Sequence, residues 1–268
     1  MKDGARVVVV MPAYNAARTL EATYRGLAMD VVDEVILVDD VSHDETVDIA
    51  ERLGLKVVVH IQNRGYGGNQ KTCYLEALKS GADVVVMVHP DNQYDSMLVP
   101  QMIQPILDGK ADIVLGSRLL SGTALSGGMP WWKFVSNRFL TVVENVAFGL
   151  RLSEYHTGFR AYSRRLLETL PFLLNSDNFV FDQEIMAQAV SFGFRVGEIP
   201  VPTRYFAEAS SVNFERSVEY GLDVLKLVTR YTLHRAGLVR RRQFTARLEE
   251  ILAPRHREAI LRGQRTTW

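Results

Sequence analysis

Before residue 90 the chain repeats one pattern four times: a short apolar, β-branched run closed by Pro, Asp or Asn, then a polar stretch with helical periodicity. The runs are Val7–Met11, closed by Pro12, then Val35–Val38, Val57–His60 and Asp83–Val88. Between them Ala17, Leu20, Tyr24 and Leu27, and again Val47, Ala50 and Leu53, recur at helical spacing, and a third helix is expected from about Gly68 to Ser80. Runs without polar alternation read as strands buried on both faces. Strands alternating with helices leave few options beyond a right-handed, mostly parallel sheet with helices on both faces. In such sheets ligands bind beyond the C-terminal ends of the strands.

Composition narrows the class further. With 268 residues and 47% hydrophobic content, a large core is easily built. Cys73 is the single cysteine, which excludes an internal disulfide framework and a zinc site of several thiolates. The 31 basic residues balance the 31 acidic ones, against a protein that coats nucleic acid. No signal-peptide pattern and no run of ~20 apolar residues is present, so a cytoplasmic protein is expected. The average hides a basic stretch: Val224–Leu248 has no acidic residue but contains Lys226, Arg230, Arg235, Arg240, Arg241, Arg242 and Arg247.

The strand-end residues are therefore the candidate site: Pro12-Ala13-Tyr14-Asn15, Asp39-Asp40, Gln62-Asn63-Arg64-Gly65 and His89-Pro90-Asp91-Asn92-Gln93. A fifth strand, Asp112–Leu115, ends in Gly116-Ser117-Arg118, and the glycine-rich Ser121–Pro130 segment is a candidate lid. Beyond it come a helix over Trp132–Phe148, an irregular strand near Thr157–Ser163 and a helix near Asp182–Phe192. The C-terminal segment carries an amphipathic helix whose apolar side is expected to hold Val218, Leu222, Leu225, Val228 and Tyr231. Lying in an anionic membrane surface is one use of such a helix; a solvated or dimer-forming helix is the other.

The glycine cluster Gly65-Tyr66-Gly67-Gly68-Asn69-Gln70 fails the dinucleotide pattern, having Gln at the third glycine position, and follows the third strand instead of the first. As a strand-to-helix turn it offers backbone N–H groups to an anion. Two adjacent carboxylates, Asp39 and Asp40, at the end of a buried strand are costly unless they accept hydrogen bonds or face a cleft, where they suit ribose hydroxyls or base N–H groups. Ser42 and Asp44 are better placed than they are to cap the next helix. His89, Asp91 and Gln93 alternate, so an extended loop would turn all three to one side, as ligands of Mg²⁺ or Mn²⁺ beside a diphosphate; a plain Asp-Asn turn is the bland alternative.

Taken together these segments resemble the family 2 inverting glycosyltransferases of GT-A fold, most closely the branch that acts on polyprenyl (dolichyl-type) phosphates. The resemblance runs from about Val7 to Phe214. It is carried by Met11-Pro12-Ala13-Tyr14-Asn15, Val38-Asp39-Asp40 with Ser42 and Asp44, Asn63-Arg64-Gly65-Tyr66-Gly67, Pro90-Asp91-Asn92-Gln93-Tyr94-Asp95, Gly116-Ser117-Arg118, Ser136-Asn137-Arg138 and Thr157-Gly158-Phe159-Arg160. It implies a Rossmann-like, mostly parallel sheet flanked by helices. The catalytic domain would span 1–212, with a nucleotide half to about 118 and an acceptor half from about 119, and 213–268 would form a basic amphipathic helical extension.

The resemblance implies that Pro12, Tyr14, Asn15, Asp39 and Asp40 hold the nucleotide, with Asn63, Gly65, Lys71 and Asp91 in the same donor-binding set. The metal would lie at Asp91, Gln93 and His89. Here the chain departs from the family's D-x-D element, whose first carboxylate is replaced by His89: either a ring nitrogen ligates, or the site uses fewer protein ligands. Arg118 and Arg138 match arginines that hold the acceptor phosphate, and Arg160 and Arg204 join them as candidates. Asp182, in Phe181-Asp182-Gln183-Glu184, stands where a general base serves hydroxyl acceptors; an ionised phosphate acceptor needs none.

The expected activity is inverting transfer of a hexosyl unit from a UDP-sugar, preferred to a GDP-sugar, to a polyprenyl phosphate at the cytoplasmic membrane face. Asp91, Asp182, Arg118 and Arg138 would be its catalytic residues, Mg²⁺ or Mn²⁺ its cofactor and 215–247 its contact with the membrane surface. A homo-oligomer is compatible with the sequence. Two alternatives stay open: transfer to a saccharide or small-molecule hydroxyl with Asp182 as base, and a non-catalytic nucleotide-sugar-binding protein.

Overall fold

The computed structural model describes residues 4–122, 124–202 and 214–265. In chain order the elements are β1 (Val7–Ala13), α1 (Leu20–Arg25), β2 (Glu34–Asp39), α2 (Thr46–Arg52), β3 (Lys56–Val59), α3 (Gly65–Lys79), β4 (Val84–Met87) and α4 (Val99–Leu107). There follow β5 (Ile113–Ser117), α5 (Trp131–Phe148), β6 (Arg160–Ser163), α6 (Arg164–Thr169), α7 (Phe181–Ser191) and β7 (Val196–Pro200). Three helices close the chain: α8 (Phe214–Arg235), α9 (Leu248–Ile251) and α10 (Pro254–Arg265).

The strands form one seven-stranded sheet in the order β3-β2-β1-β4-β6-β5-β7, parallel throughout except for β6, which runs antiparallel to both its neighbours. The mostly parallel α/β sheet expected from the repeated pattern is therefore present. Its core is two-sided. Val8 and Val10 of β1 join one apolar cluster, with α3, α5, α7 and α8, while Val7, Val9 and Met11 join the other, with α1 and α4. Each such side chain contributes about 1.5–3 kcal/mol by leaving water.

Register brings the strand tips together: Ala13 pairs with Asp39, and Asp39 with Val59. Pro12 does not close β1, as the sequence suggested; the strand runs on to Ala13. β4 ends at Met87, opposite Val10, so nothing on that side needs the N–H that Pro12 lacks.

Candidate active site

Three turns at the strand tips contain non-glycine residues in the left-handed region: Asn15 at φ 52°, Val41 at 67° and Asn92 at 55°. Asparagine tolerates this conformation, but for a β-branched valine it costs on the order of 1–3 kcal/mol and marks a turn held by its surroundings. The surroundings are identifiable. Asn15 donates its amide N–H to the Ser42 hydroxyl at 2.8 Å and accepts from the His43 N–H at 2.8 Å, which binds the first turn to the second. Asp39 accepts from the Ser42 N–H at 2.9 Å through Oδ2; its buried Oδ1 has no hydrogen-bond partner among the described residues. Asp44 accepts from the Thr46 N–H and hydroxyl at the start of α2. Ser42, the other residue expected to cap there, holds Asn15 instead.

Asp40 caps a helix, though not the one that follows it. Its carboxylate accepts from the Arg64 N–H at 2.8 Å and the Gly65 N–H at 2.9 Å, at the N-terminus of α3, and His60 Nδ1 lies 2.7 Å away. This corrects the reading of the glycine cluster as an open anion seat: its first N–H groups are taken by Asp40, and the Gly67 N–H goes to the Asp177 carbonyl at 2.7 Å. Gly67 is required by close approach, since a Cβ there would lie 2.5 Å from the Ser176 carbonyl oxygen.

Between these turns lies a cleft of about 670 Å³ lined by Pro12, Tyr14, Asn15, Asp40, Asn63, Gly65, Tyr66, His89 and Asp91, and closed from the other side by Arg216, Glu219, Tyr220 and Asp223 of α8. A cavity of that size accommodates a ligand as large as a nucleotide-sugar. Asp39 sits beneath the lining. Lys71 is not brought to the cleft: its ammonium is buried against the Asn175 carbonyl and the Asp177 carboxylate, 2.7 Å away. The His89-Asp91-Gln93 alternation is not kept either. Asp91 Oδ1 accepts the Gln93 N–H at 3.1 Å in a tight turn through Asn92, so His89 and Asp91 face this cleft while Gln93 lines its neighbour.

The neighbouring pocket, about 240 Å³, shares Tyr66, Phe179 and Tyr220 with the cleft and is otherwise lined by Arg118, Lys133, Ser136, Asn137, His156, Asp182 and others. Arg118, at the end of β5, is not an open fork. Its guanidinium binds Glu154 and the His156 carbonyl, and its own N–H donates to Glu154 Oε2 at 2.7 Å. Glu154 is fully buried; burial alone would raise its pKa, but Arg118 and the Asn137 amide hold it below the usual carboxylate range. Lys133 is the cation that sequence reasoning missed. No carboxylate pairs with it among the described residues, and burial together with the Arg118 charge lowers its pKa. The signal was available: Lys133, Ser136, Asn137 and Leu140 are spaced as one face of α5.

Arg138 lies on the opposite, exposed face of α5 and does not reach the pocket, because helix geometry turns it away from Asn137. Arg160 lines the pocket but is spent on structure: it donates to the carbonyls of Thr157, Asp182 and Tyr155 at 2.7–3.0 Å. Arg204 lies outside the described residues. Asp182, at the start of α7, accepts from the Tyr66 hydroxyl at 2.7 Å, and that hydroxyl also touches His89 Nε2 at 3.2 Å. Burial and the Asp182 carboxylate push the Tyr66 pKa well above its ordinary value, so the phenol stays protonated. Beneath the pocket His156 Nε2 is 3.2 Å from the fully buried Glu144, close enough for an ion pair although not aligned as a hydrogen bond.

The candidate lid, Ser121–Pro130, packs into the structure through Ala124 and Met129, and Met129 lines the smaller pocket; Thr123 is outside the described residues. The inward face of α8 is Val224, Leu227 and Tyr231, so Val218 and Leu222, expected on the same apolar side as Tyr231, are exposed. A longer exposed apolar face lies on α5: Trp131, Val135, Phe139, Val142 and Val146. Among the described residues no helix is long and apolar enough to cross a membrane, and no three or more His, Cys, Asp or Glu side chains cluster as a metal cage.

The family model described as Glycosyl transferase family 2 matches residues 8–170. Among curated proteins, a UDP-N-acetylglucosamine–dolichyl-phosphate N-acetylglucosaminyltransferase of Methanococcus voltae is 27% identical over 82% of this chain and 96% of its own length. An undecaprenyl-phosphate mannosyltransferase of Micrococcus luteus is 28% identical over 73% of this chain and 82% of its own. Among solved structures, glucosyl-3-phosphoglycerate synthase from Mycobacterium tuberculosis, in complex with phosphoglyceric acid, superimposes with a TM-score of 0.68 at 22% identity, covering 89% of this chain and 82% of that one. At that identity the likeness shows a shared GT-A-like fold.

Proposed function

Because the chain belongs to glycosyl transferase family 2, we propose that its two adjoining cavities bind the two substrates of an inverting transfer: a UDP-sugar in the larger and a polyprenyl phosphate at the mouth of the smaller. The observation that carries this reading is the shared wall of Tyr66, Phe179 and Tyr220 between a cleft at the strand tips and a pocket holding a lysine that no carboxylate of the described residues pairs. The relatives named for dolichyl- and undecaprenyl-phosphate support the acceptor class.

In this reading the strand-tip turns hold the nucleoside, with Asp39 beneath them fixing Ser42 in the second turn. Lys133 and the Arg118–Glu154 pair position the acceptor phosphate. An oxygen of that phosphate attacks the anomeric carbon from the side opposite the diphosphate; the new carbon–oxygen bond forms as the bond to the departing UDP breaks, with inversion. No base is required for an ionised phosphate. The donor set fits a divalent cation brought by a diphosphate: Asp91 and His89 face the same cleft, and such cations take one or two protein ligands with the rest from phosphate and water. Bound there, Mg²⁺ or Mn²⁺ would neutralise charge on the leaving diphosphate.

Membrane contact is assigned in this proposal to α5 as well as to the 215–247 segment. Across 113–151 the only acidic residue is Glu144, which is buried, while Arg138 is exposed on α5 and Arg151 is exposed just beyond its C-terminal end. Cations flanking exposed apolar side chains suit an anionic cytoplasmic leaflet. The test combines thermal shift and transfer. A UDP-sugar at 100 times its dissociation constant, with Mn²⁺, should stabilise the protein by ~2.7 kcal/mol, and the sugar should pass to polyprenyl phosphate but not to the dephosphorylated polyprenol. Transfer to saccharide hydroxyls alone would overturn the acceptor, and stabilisation by GDP-sugars alone the donor.

A further inference from the structure

The contacts around Tyr66 settle which nitrogen of His89 carries its proton. The Tyr66 hydroxyl has one hydrogen, and its 2.7 Å contact with Asp182 commits it to the carboxylate. Its remaining contact, to His89 Nε2 at 3.2 Å, is then a hydrogen bond only if Nε2 is the protonated nitrogen. The lone pair of a neutral ring therefore sits on Nδ1. Packing fixes the plane of the ring, and the Tyr66 hydroxyl fixes which edge carries Nε2. Tyr66 lies parallel to it at 5.5 Å between centroids, and Gly158 closes against the Cδ2–Nε2 side, where a Cβ would stand 2.6 Å from Cδ2. Nδ1 is on the other side of the ring and makes no hydrogen bond among the described residues.

We infer that His89 Nδ1 is a nitrogen ligand, beside Asp91, for the divalent cation of the donor cleft, that Tyr66 is the positioning residue that sets this tautomer, and that the mixed set favours Mn²⁺ over Mg²⁺. The inference rests on the proposed donor site. Its chemical ground is that Mg²⁺ keeps oxygen ligands in a strict octahedron and gains little from imidazole, whereas first-row transition ions accept it. A ligating histidine is ordinarily oriented by a hydrogen bond from its other nitrogen, the part Tyr66 and Asp182 take here. The same three side chains join the two cavities, because His89 faces the larger and Asp182 the smaller.

The experiment reads the metal directly. With saturating UDP, Mn²⁺ bound to the full-length protein is examined by electron spin echo spectroscopy for nitrogen modulation, and Mn²⁺ and Mg²⁺ affinities are compared by the free-Mn²⁺ resonance and competition. The native protein should show modulation from one histidine, removed in His89→Asp together with at least a ten-fold fall in the Mn²⁺-to-Mg²⁺ affinity ratio. Tyr66→Phe, which keeps the ring but not the hydroxyl, should weaken Mn²⁺ about 10–100-fold. Mn²⁺–UDP bound without nitrogen modulation would overturn the ligand, and native Mn²⁺ affinity in Tyr66→Phe the positioning role. Failure to bind UDP with or without metal would instead refute the donor site beneath both.

Discussion

The two cavities share a wall yet are built by different means. Around the larger cleft most polar side chains at the strand tips are committed to backbone groups of the next turn: Asn15 to His43, Asp39 to Ser42, Asp40 to Arg64 and Gly65. Around the smaller pocket, charged side chains from distant segments hold one another and the loops between them, as Arg118 does with Glu154 and Tyr66 with Asp182. The first is a framework of shaped turns with few groups left over for a ligand. The second is a balance of charges in which Lys133 is, among the described residues, the unmatched member. Chemistry in the cleft should therefore hang on one or two residues, and affinity in the pocket on net charge.

Asp91→Ala is the sharpest way to break the cleft side of this contrast. It removes the carboxylate expected to hold the cation, and several kcal/mol of charge stabilisation with it. Transfer should fall about 10³-fold or more in a steady-state assay while the thermal midpoint stays near that of the native protein. Retained turnover in the presence of chelator would end the metal reading. On the pocket side, Lys133→Ala should raise KM for polyprenyl phosphate about 10–100-fold, the size of a charge-assisted contact, with metal-free UDP affinity changed far less. Arg118→Ala is a different experiment: it leaves Glu154 buried and unpaired, at a cost of about 3–5 kcal/mol, and reads stability before it reads binding.

The same contrast explains what the sequence could and could not disclose. The sheet and the convergence of four strand tips follow from local apolar periodicity, and so did Tyr14, Asn15, Asn63, His89 and Asp91 as cleft residues. Functions that depend on partners far along the chain were hidden. Nothing near Lys71 announces that Asp177 will claim it, nothing near Arg160 that three carbonyls will, and nothing near Asp40 that its carboxylate will cap α3 while it lines the cleft. Arg138 lies outside the pocket for a local reason that a helical wheel discloses: it sits with Val135 and Val142 and not with Lys133 and Asn137. The inward face of α8 required knowing that Phe148 and Phe244 pack on Tyr231.

A membrane at the mouth of the pocket would extend the charge-balance picture outward, and α5 is where to test it. Phe139 and Val146 are both exposed, Val146 at 81%, so replacing them disturbs no core. The double change Phe139→Glu and Val146→Glu should lower binding to phosphatidylglycerol vesicles about ten-fold in a flotation assay, since apolar burial and attraction to anionic lipid are lost together. Transfer to a short-chain, water-soluble polyprenyl phosphate should persist. Undiminished flotation would move the contact to the basic 215–247 segment.

The smallest expected effect carries the most information about the acceptor. Asp182→Asn keeps an oxygen that accepts from the Tyr66 hydroxyl, so the junction between the cavities survives in geometry while its charge is lost. If the acceptor is an already ionised phosphate, no proton has to leave it, and the variant should lose no more than about five-fold in kcat, well below the 10²–10⁴-fold that a general base supplies. If the acceptor is a hydroxyl, Asp182 is the carboxylate in the pocket placed to take its proton, because Glu154 is bound to Arg118. A loss of 10²-fold or more would then follow. Measuring both acceptors with the same variant separates the two chemistries even if Lys133 proves to bind either one.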